Sequence, residues 1–172
     1  TIRVLREVRR TCCSHDMPFI EHDRGPAYYR HWAVEQPRAV VIFLHGFGEH
    51  GGLYHRYGFA LNAAGIDLWA VDQIGHGLSP GERGDFGSIE QSSALAESLT
   101  RLAETQSPGI PLVAQGHSFG SIVTLFRLLE QPHGAQREQI GTAGSGTHQI
   151  DTADHLTQFA RETAEDFTAR VR

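Results

Sequence analysis

Ile110-Pro111-Leu112-Val113-Ala114-Gln115-Gly116-His117-Ser118-Phe119-Gly120 is the stretch whose reading decides the fold. Its first half is an apolar run of strand length, and Ile122, Leu125, Phe126 and Leu129 follow it at helical spacing. Between strand and helix stands Gly-His-Ser-Phe-Gly, which in that setting has the form of a nucleophile elbow. A turn tight enough to push a side chain out at the carboxyl end of a strand leaves no room for Cβ atoms beside it. Gly116 and Gly120 meet that demand, and Ser118 is the candidate nucleophile. The pentapeptide alone is a weak signal; the strand before it and the helix after it give it meaning.

Working outward toward the amino end, the same alternation recurs. Ala27 to Val34 reads as a strand, and Ala39-Val40-Val41-Ile42-Phe43-Leu44 is an unbroken apolar run rich in branched residues, suited to a sheet covered on both faces. Tyr54, Tyr57 and Leu61 recur at helical spacing up to Ala64, with Gly65 placed as a helix C-cap. Ile66-Asp67-Leu68-Trp69-Ala70-Val71 supplies the next strand. Ser88-Ile89-Glu90-Gln91 fits a capping box, and Leu95, Leu99 and Leu102 continue the helix it starts until Pro108-Gly109 stops it. Strands alternating with helices argue for a mostly parallel sheet flanked by helices, an α/β fold.

Toward the carboxyl end the pattern changes. Residues 131–147 are rich in Gly, Gln and His and read as irregular loop with no core strand. Leu156, Phe159, Thr163, Phe167 and Val171 then return to helical spacing, so the chain is expected to close on an amphipathic helix capped by Asp151 or Thr152.

A chain of 172 residues is expected to form one domain around one core. With 40% hydrophobic and 20% charged residues its composition is that of a globular protein, and a net charge of -5 without a basic stripe argues against nucleic acid as a partner. No apolar run approaches the roughly 20 residues of a membrane span, and the first residues lack a secretory leader's apolar stretch, so a cytoplasmic location is expected. Cys12 and Cys13 are adjacent, which disfavours a disulfide between them, and no metal site is expected.

A second motif sits where the first requires a partner. His45-Gly46-Phe47-Gly48 follows the strand ending at Leu44, the position from which a backbone N–H helps to hold an acyl oxyanion. The chemistry there needs amides rather than side chains, and the amides of Phe47 and Phe119 are the candidate donors.

Three segments together resemble the α/β-hydrolase superfamily and, within it, the monoacylglycerol lipase and lysophospholipase-like group. They are His45-Gly46-Phe47-Gly48-Glu49-His50-Gly51-Gly52-Leu53-Tyr54, then Asp72-Gln73-Ile74-Gly75-His76-Gly77-Leu78-Ser79-Pro80-Gly81-Glu82-Arg83-Gly84, and the elbow. The match covers residues 19–130. The resemblance implies that Asp72 and His76 brace turns near the site, and that His45 and His50 are hydrogen-bonded loop residues rather than bases. His117 is expected to point away from the nucleophile.

A serine hydroxyl needs an imidazole to take its proton and a carboxylate to hold that imidazole, and in α/β-hydrolases these follow in the order Ser, acid, His. His133, His148 and His155 follow Ser118. His148 is the choice, because Gly144-Ser145-Gly146-Thr147-His148 ahead of a closing helix is similar to the family's histidine loop. Residues 148–172 are then the histidine loop and its helix. Glu138 and Asp151 are the acids in reach of His148 along the chain, although neither stands at a recognisable strand end.

Less than a third of the chain follows Ser118, whereas the resembling enzymes carry further strands, a cap and an acid-bearing turn there. A fold lacking the cap and some C-terminal strands is therefore expected. The resemblance implies hydrolysis of carboxylic esters, monoacylglycerols or other small lipid or short-chain esters, through an acyl-enzyme on Ser118 and without a cofactor. Epoxide hydrolases and dehalogenases share the fold but need a carboxylate at the elbow, so Ser118 argues against them; perhydrolase chemistry uses the same triad. The alternative is a catalytically impaired remnant acting as a binding module, whose incomplete sheet would be covered by self-association or a partner.

Overall fold

The computed structural model describes residues 18–130 and 139–143. Six strands form one sheet in the order β1-β2-β4-β3-β5-β6. Strands β1 (Phe19–Ile20) and β2 (Ala27–Trp32) make an antiparallel hairpin, and β2 lies antiparallel to β4 (Ile66–Val71). The remaining neighbours are parallel: β3 (Ala39–Leu44) with β4, β3 with β5 (Leu112–His117), and β5 with β6 (Gln139–Ala143). This is the expected mostly parallel α/β sheet.

Period-2 alternation sorts the central strand onto two cores. Val40, Ile42 and Leu44 of β3 pack with Leu95, Ala96 and Leu99 of α2 (Ile89–Gln106) and with Phe119 and Val123 of α3 (Phe119–Glu130). Val41 and Phe43 face the other way, with Leu68 and Ala70, onto Tyr54, Tyr57 and Leu61 around α1 (His55–Ala63). The apolar run therefore has no polar side because neither face meets water. Each such side chain contributes roughly 1.5–3 kcal/mol by leaving water.

The helix ends follow local rules. Ser88 Oγ accepts from the Gln91 amide at 3.3 Å while Gln91 Oε1 accepts from the Ser88 amide at 3.1 Å, so the capping box is present. Gly65 takes φ +72° just beyond α1, a conformation glycine adopts without a Cβ penalty. Arg127 donates from Nε and Nη2 to Glu97 Oε2 at 3.1 and 2.7 Å, tying α3 to α2.

Two readings of the sequence need correction. Residues 131–147 are not loop throughout, because Gln139–Ala143 forms β6 against β5. Gln-Ile-Gly-Thr-Ala has too few branched residues to announce a strand; backbone pairing with its neighbour decides its state. The strand before Ser118 also lies two residues later than the apolar run, at 112–117 rather than 110–115. Among the described residues, no helix is long and apolar enough to cross a membrane.

Register is what positions the site. Leu44 pairs with both Val71 and Gly116, and His117 pairs with Ala143. The carboxyl ends of β3, β4, β5 and β6 are thus level, and the segments that follow β3, β4 and β5 gather at the carboxyl end of the sheet.

Candidate active site

Ser118 is the one non-glycine residue at positive φ among the described residues, at 51°, and it is exposed. A left-handed serine costs of order 1–2 kcal/mol and persists only where its surroundings dictate it. Here they do. A Cβ on Gly116 would stand 2.3 Å from the carbonyl of Gly120 and from the amide nitrogen of Ser121; one on Gly120 would stand 2.1 Å from the Leu44 carbonyl oxygen. Strand and helix therefore meet at van der Waals distance, and the residue between them is forced outward. Ser121 secures the turn, donating from Oγ to the Gly116 carbonyl at 2.7 Å and from its amide to the Ser118 carbonyl at 3.0 Å.

The loop after β3 closes onto this turn. A Cβ on Gly46 would lie 3.2 Å from Ser118 Cβ, 3.0 Å from His117 Nδ1 and 2.9 Å from Glu49 Oε2, so glycine is what lets the loop approach the serine. Glu49 Oε2 accepts from the Gly46 amide at 2.8 Å, Tyr54 OH at 2.6 Å and His117 Nδ1 at 3.0 Å. Burial pushes the Glu49 carboxyl up, but these donors outweigh it and leave its pKa below the usual range. Burial and Glu49 together push the Tyr54 phenol well up, so it stays a donor. The amide of Phe47, one residue beyond, donates to no partner among the described residues.

His45 is 1% exposed and both its ring nitrogens are committed. Nδ1 donates to the Gly46 carbonyl at 2.8 Å, and Nε2 accepts from the Gln73 amide at 3.0 Å. Burial lowers its pKa from 6.5 to about 4. A folded-state value below the unfolded one means that the neutral ring stabilises the fold fully above pH 6.5 and that this contribution is lost as pH falls toward 4. At roughly 1.4 kcal/mol per unit, acidification across that window removes on the order of 3 kcal/mol. Urea midpoints at pH 7 and pH 5 should differ by less in a His45→Asn variant than in the parent; equal differences would reject the assignment.

Asp72 is fully buried. Its Oδ1 accepts from Arg30 Nη1 at 2.5 Å and the Gly51 amide at 2.7 Å, and its Oδ2 accepts from the Leu78 amide at 2.9 Å. One carboxylate thus holds β2, the loop after β3 and the loop after β4. His76 donates from Nδ1 to the Ile74 carbonyl at 3.0 Å, while its buried Nε2 has no partner among the described residues. His50 accepts from the Gly52 amide at 3.2 Å. His45, His50 and Asp72 accordingly brace loops.

Ser118, Phe119, Gly116, Gly120, His45, Gly46, Phe47, Asp72 and His76 therefore assemble at the carboxyl end of the sheet. His148, Glu138 and Asp151, named from the sequence as base and acids, lie outside the described residues, as do His133, His155 and the stretch expected to form a closing helix. Sequence reasoning assigned no role to Glu49; its place three residues after Gly46 was the available signal. Arg30, on an antiparallel strand 42 positions from Asp72, offered none.

A family model described as "Serine aminopeptidase, S33" (Hydrolase_4) matches residues 35–170. Monoacylglycerol lipase of Mycolicibacterium smegmatis is 34% identical over 93 residues, covering 54% of this chain and 33% of that protein. Monoglyceride lipase of Homo sapiens is 30% identical over 124 residues, covering 68% of this chain and 39% of its own. The crystal structure of a highly thermostable carboxyl esterase from Bacillus coagulans in complex with glycerol superposes with a TM-score of 0.64 at 25% identity, over 72% of this chain and 42% of that one. The chain spans less than half the length of each of these relatives.

Proposed function

Because the chain belongs to the hydrolase family described as serine aminopeptidase S33, as an α/β-hydrolase similar to monoacylglycerol lipases, we propose that it hydrolyses carboxylic esters with Ser118 as nucleophile. The observation that carries this reading is the backbone of Ser118: exposed, left-handed, and pinned between Gly116 and Gly120 against the loop that bears Phe47.

In the proposed reaction Ser118 Oγ attacks the acyl carbon as His148 takes its proton. Negative charge moves to the former carbonyl oxygen, which the amides of Phe47 and Phe119 hold. Phe119 opens α3, so its amide also presents the positive end of a helix. Each such donor is worth roughly 3 kcal/mol in the transition state. The tetrahedral species collapses to an acyl-serine as the alcohol leaves with the proton from His148. Water, deprotonated by the same imidazole, then releases the acid and regenerates the serine. The reaction needs neither metal nor organic cofactor.

Chain length leaves His148 able to reach the serine. Strand β6 runs parallel to β5 and ends level with His117, and His148 comes five positions after Ala143. Five residues reach about 17 Å and neighbouring strands lie about 4.8 Å apart, so the distance is easily bridged. Glu138 or Asp151 would orient the imidazole. Monoacylglycerols or other small lipid or short-chain esters are the proposed substrates, by similarity to the relatives.

A fluorophosphonate probe tests the reading directly. Ser118 should be modified rapidly, as located by peptide mass spectrometry, and His148→Ala should slow that modification by orders of magnitude. A folded parent chain that takes no label would overturn the assignment and leave the binding remnant as the better description.

A further inference from the structure

Oxyanion stabilisation depends on two amides being a fixed distance apart, and here they come from separate elements. Phe119 opens a helix whose backbone is locked by Gly120 against Leu44. Phe47 sits on a loop whose neighbour Gly48 faces open space at φ +74°, and its own ring is 52% exposed. Main-chain bonds in that loop hold Gly46 and Glu49, not Phe47. Something else must hold Phe47.

The side chains supply it. Phe86, 7% exposed on the segment between β4 and α2, stacks on the Phe119 ring at a centroid distance of 3.8 Å and an angle of 24°. It also meets the Phe47 ring edge-on, at 6.0 Å and 86°. His76 completes the group, edge-on to Phe47 at 5.8 Å and near-parallel to Phe86 at 6.1 Å. One phenyl ring therefore stands between the two residues whose amides the proposed reaction uses. It is itself anchored on both sides. Asp85 pairs with Arg24 at 2.7 Å and accepts from the Gly87 amide at 2.9 Å, and Ser88 caps α2.

We propose that Phe86 is a positioning residue that sets the separation of the Phe47 and Phe119 amides. This rests on the ester-hydrolase reading above and adds a role that the aromatic packing alone defines. Edge-on and stacked ring pairs are directional, so an aliphatic side chain of similar volume fills the space without holding the same angles. A displacement near 1 Å at a reacting centre costs on the order of 100-fold in rate. A purely space-filling Phe86 predicts lower stability and unchanged chemistry in the folded fraction.

The test compares Phe86→Leu and Phe47→Ala with the parent chain. Phe47→Ala keeps the amide and removes a half-exposed ring, so it should fold even where Phe86→Leu does not. Three quantities are read: the fluorophosphonate labelling rate at Ser118, kcat and KM for p-nitrophenyl butyrate, and the melting temperature. Labelling rate and kcat should fall roughly 10- to 100-fold in each folded variant, with KM within about twofold of the parent. Parent-like rates in folded Phe86→Leu, or in Phe47→Ala if the other does not fold, would overturn the positioning role while leaving the hydrolase reading intact. An unlabelled parent overturns both, and the two failures are thereby distinct.

Discussion

Ser118→Ala should lower kcat for p-nitrophenyl butyrate by roughly three to six orders of magnitude while leaving the unfolding free energy unchanged within about 0.5 kcal/mol. The kinetic half follows from the proposed chemistry. Without the hydroxyl no acyl-enzyme forms, and only the imidazole and the two amides remain to assist direct attack by water. The thermodynamic half follows from geometry: Ser118 is exposed, so truncating it uncovers no core. Ser118→Gly sharpens the contrast. Glycine removes a left-handed penalty of about 1–2 kcal/mol and introduces an entropic cost of about 0.5–1 kcal/mol, so an inactive variant at least as stable as the parent is expected. Steady-state kinetics beside urea denaturation check both halves. An Ser118→Ala protein retaining a tenth of parental activity would remove Ser118 from the mechanism.

The second large effect concerns stability. Asp72→Ala should destabilise the fold by about 3–5 kcal/mol, the usual consequence of removing one partner from a buried ion pair. Three donors lose their acceptor together: the Arg30 guanidinium and the amides of Gly51 and Leu78. The side chain of Arg30 is only 20% exposed, so its charge is left in poor solvent. Because the same carboxylate holds the loops after β3 and β4 together, the residual folded protein should also label more slowly at Ser118. Asp72→Asn keeps the shape but replaces one acceptor oxygen by a donor, so it should fall between parent and alanine. Urea denaturation followed by tryptophan fluorescence reads all three, with Trp69 in the core as reporter. A loss below about 1 kcal/mol for the alanine variant would show that the pair is dispensable.

Gly116, Ser118 and Gly120 were legible in the sequence because the demand they meet is local. A strand feeding directly into a helix leaves few backbone solutions, and residues without a Cβ on either side are the visible trace of the one adopted. The run 39–44 was legible for a similar reason: an apolar side chain at every position means two covered faces, and both cores are indeed found around β3. The Ser88 capping box lies within four residues and could be read outright.

Gln139–Ala143 could not be read in this way. Its five side chains carry no clear period, and it is a strand because β5 offers an unpaired edge of backbone donors and acceptors. Glu49 bears no such local mark, since its partners His117 and Tyr54 come together only when β3 and β5 pair. The ring of Phe86 between Phe47 and Phe119 brings together three separate segments.

By itself, then, the sequence determined the alternation of strands and helices, the turn that exposes Ser118, and the glycines that permit it. These rest on interactions between residues a few positions apart, where periodicity and steric exclusion leave a readable mark. Only the tertiary structure decided which loops meet that serine, that Asp72 and Glu49 hold them, and that β6 extends the sheet. Those outcomes depend on strand order and register, and parallel strands joined through helices bring together residues whose separation along the chain carries no local signal of their contact.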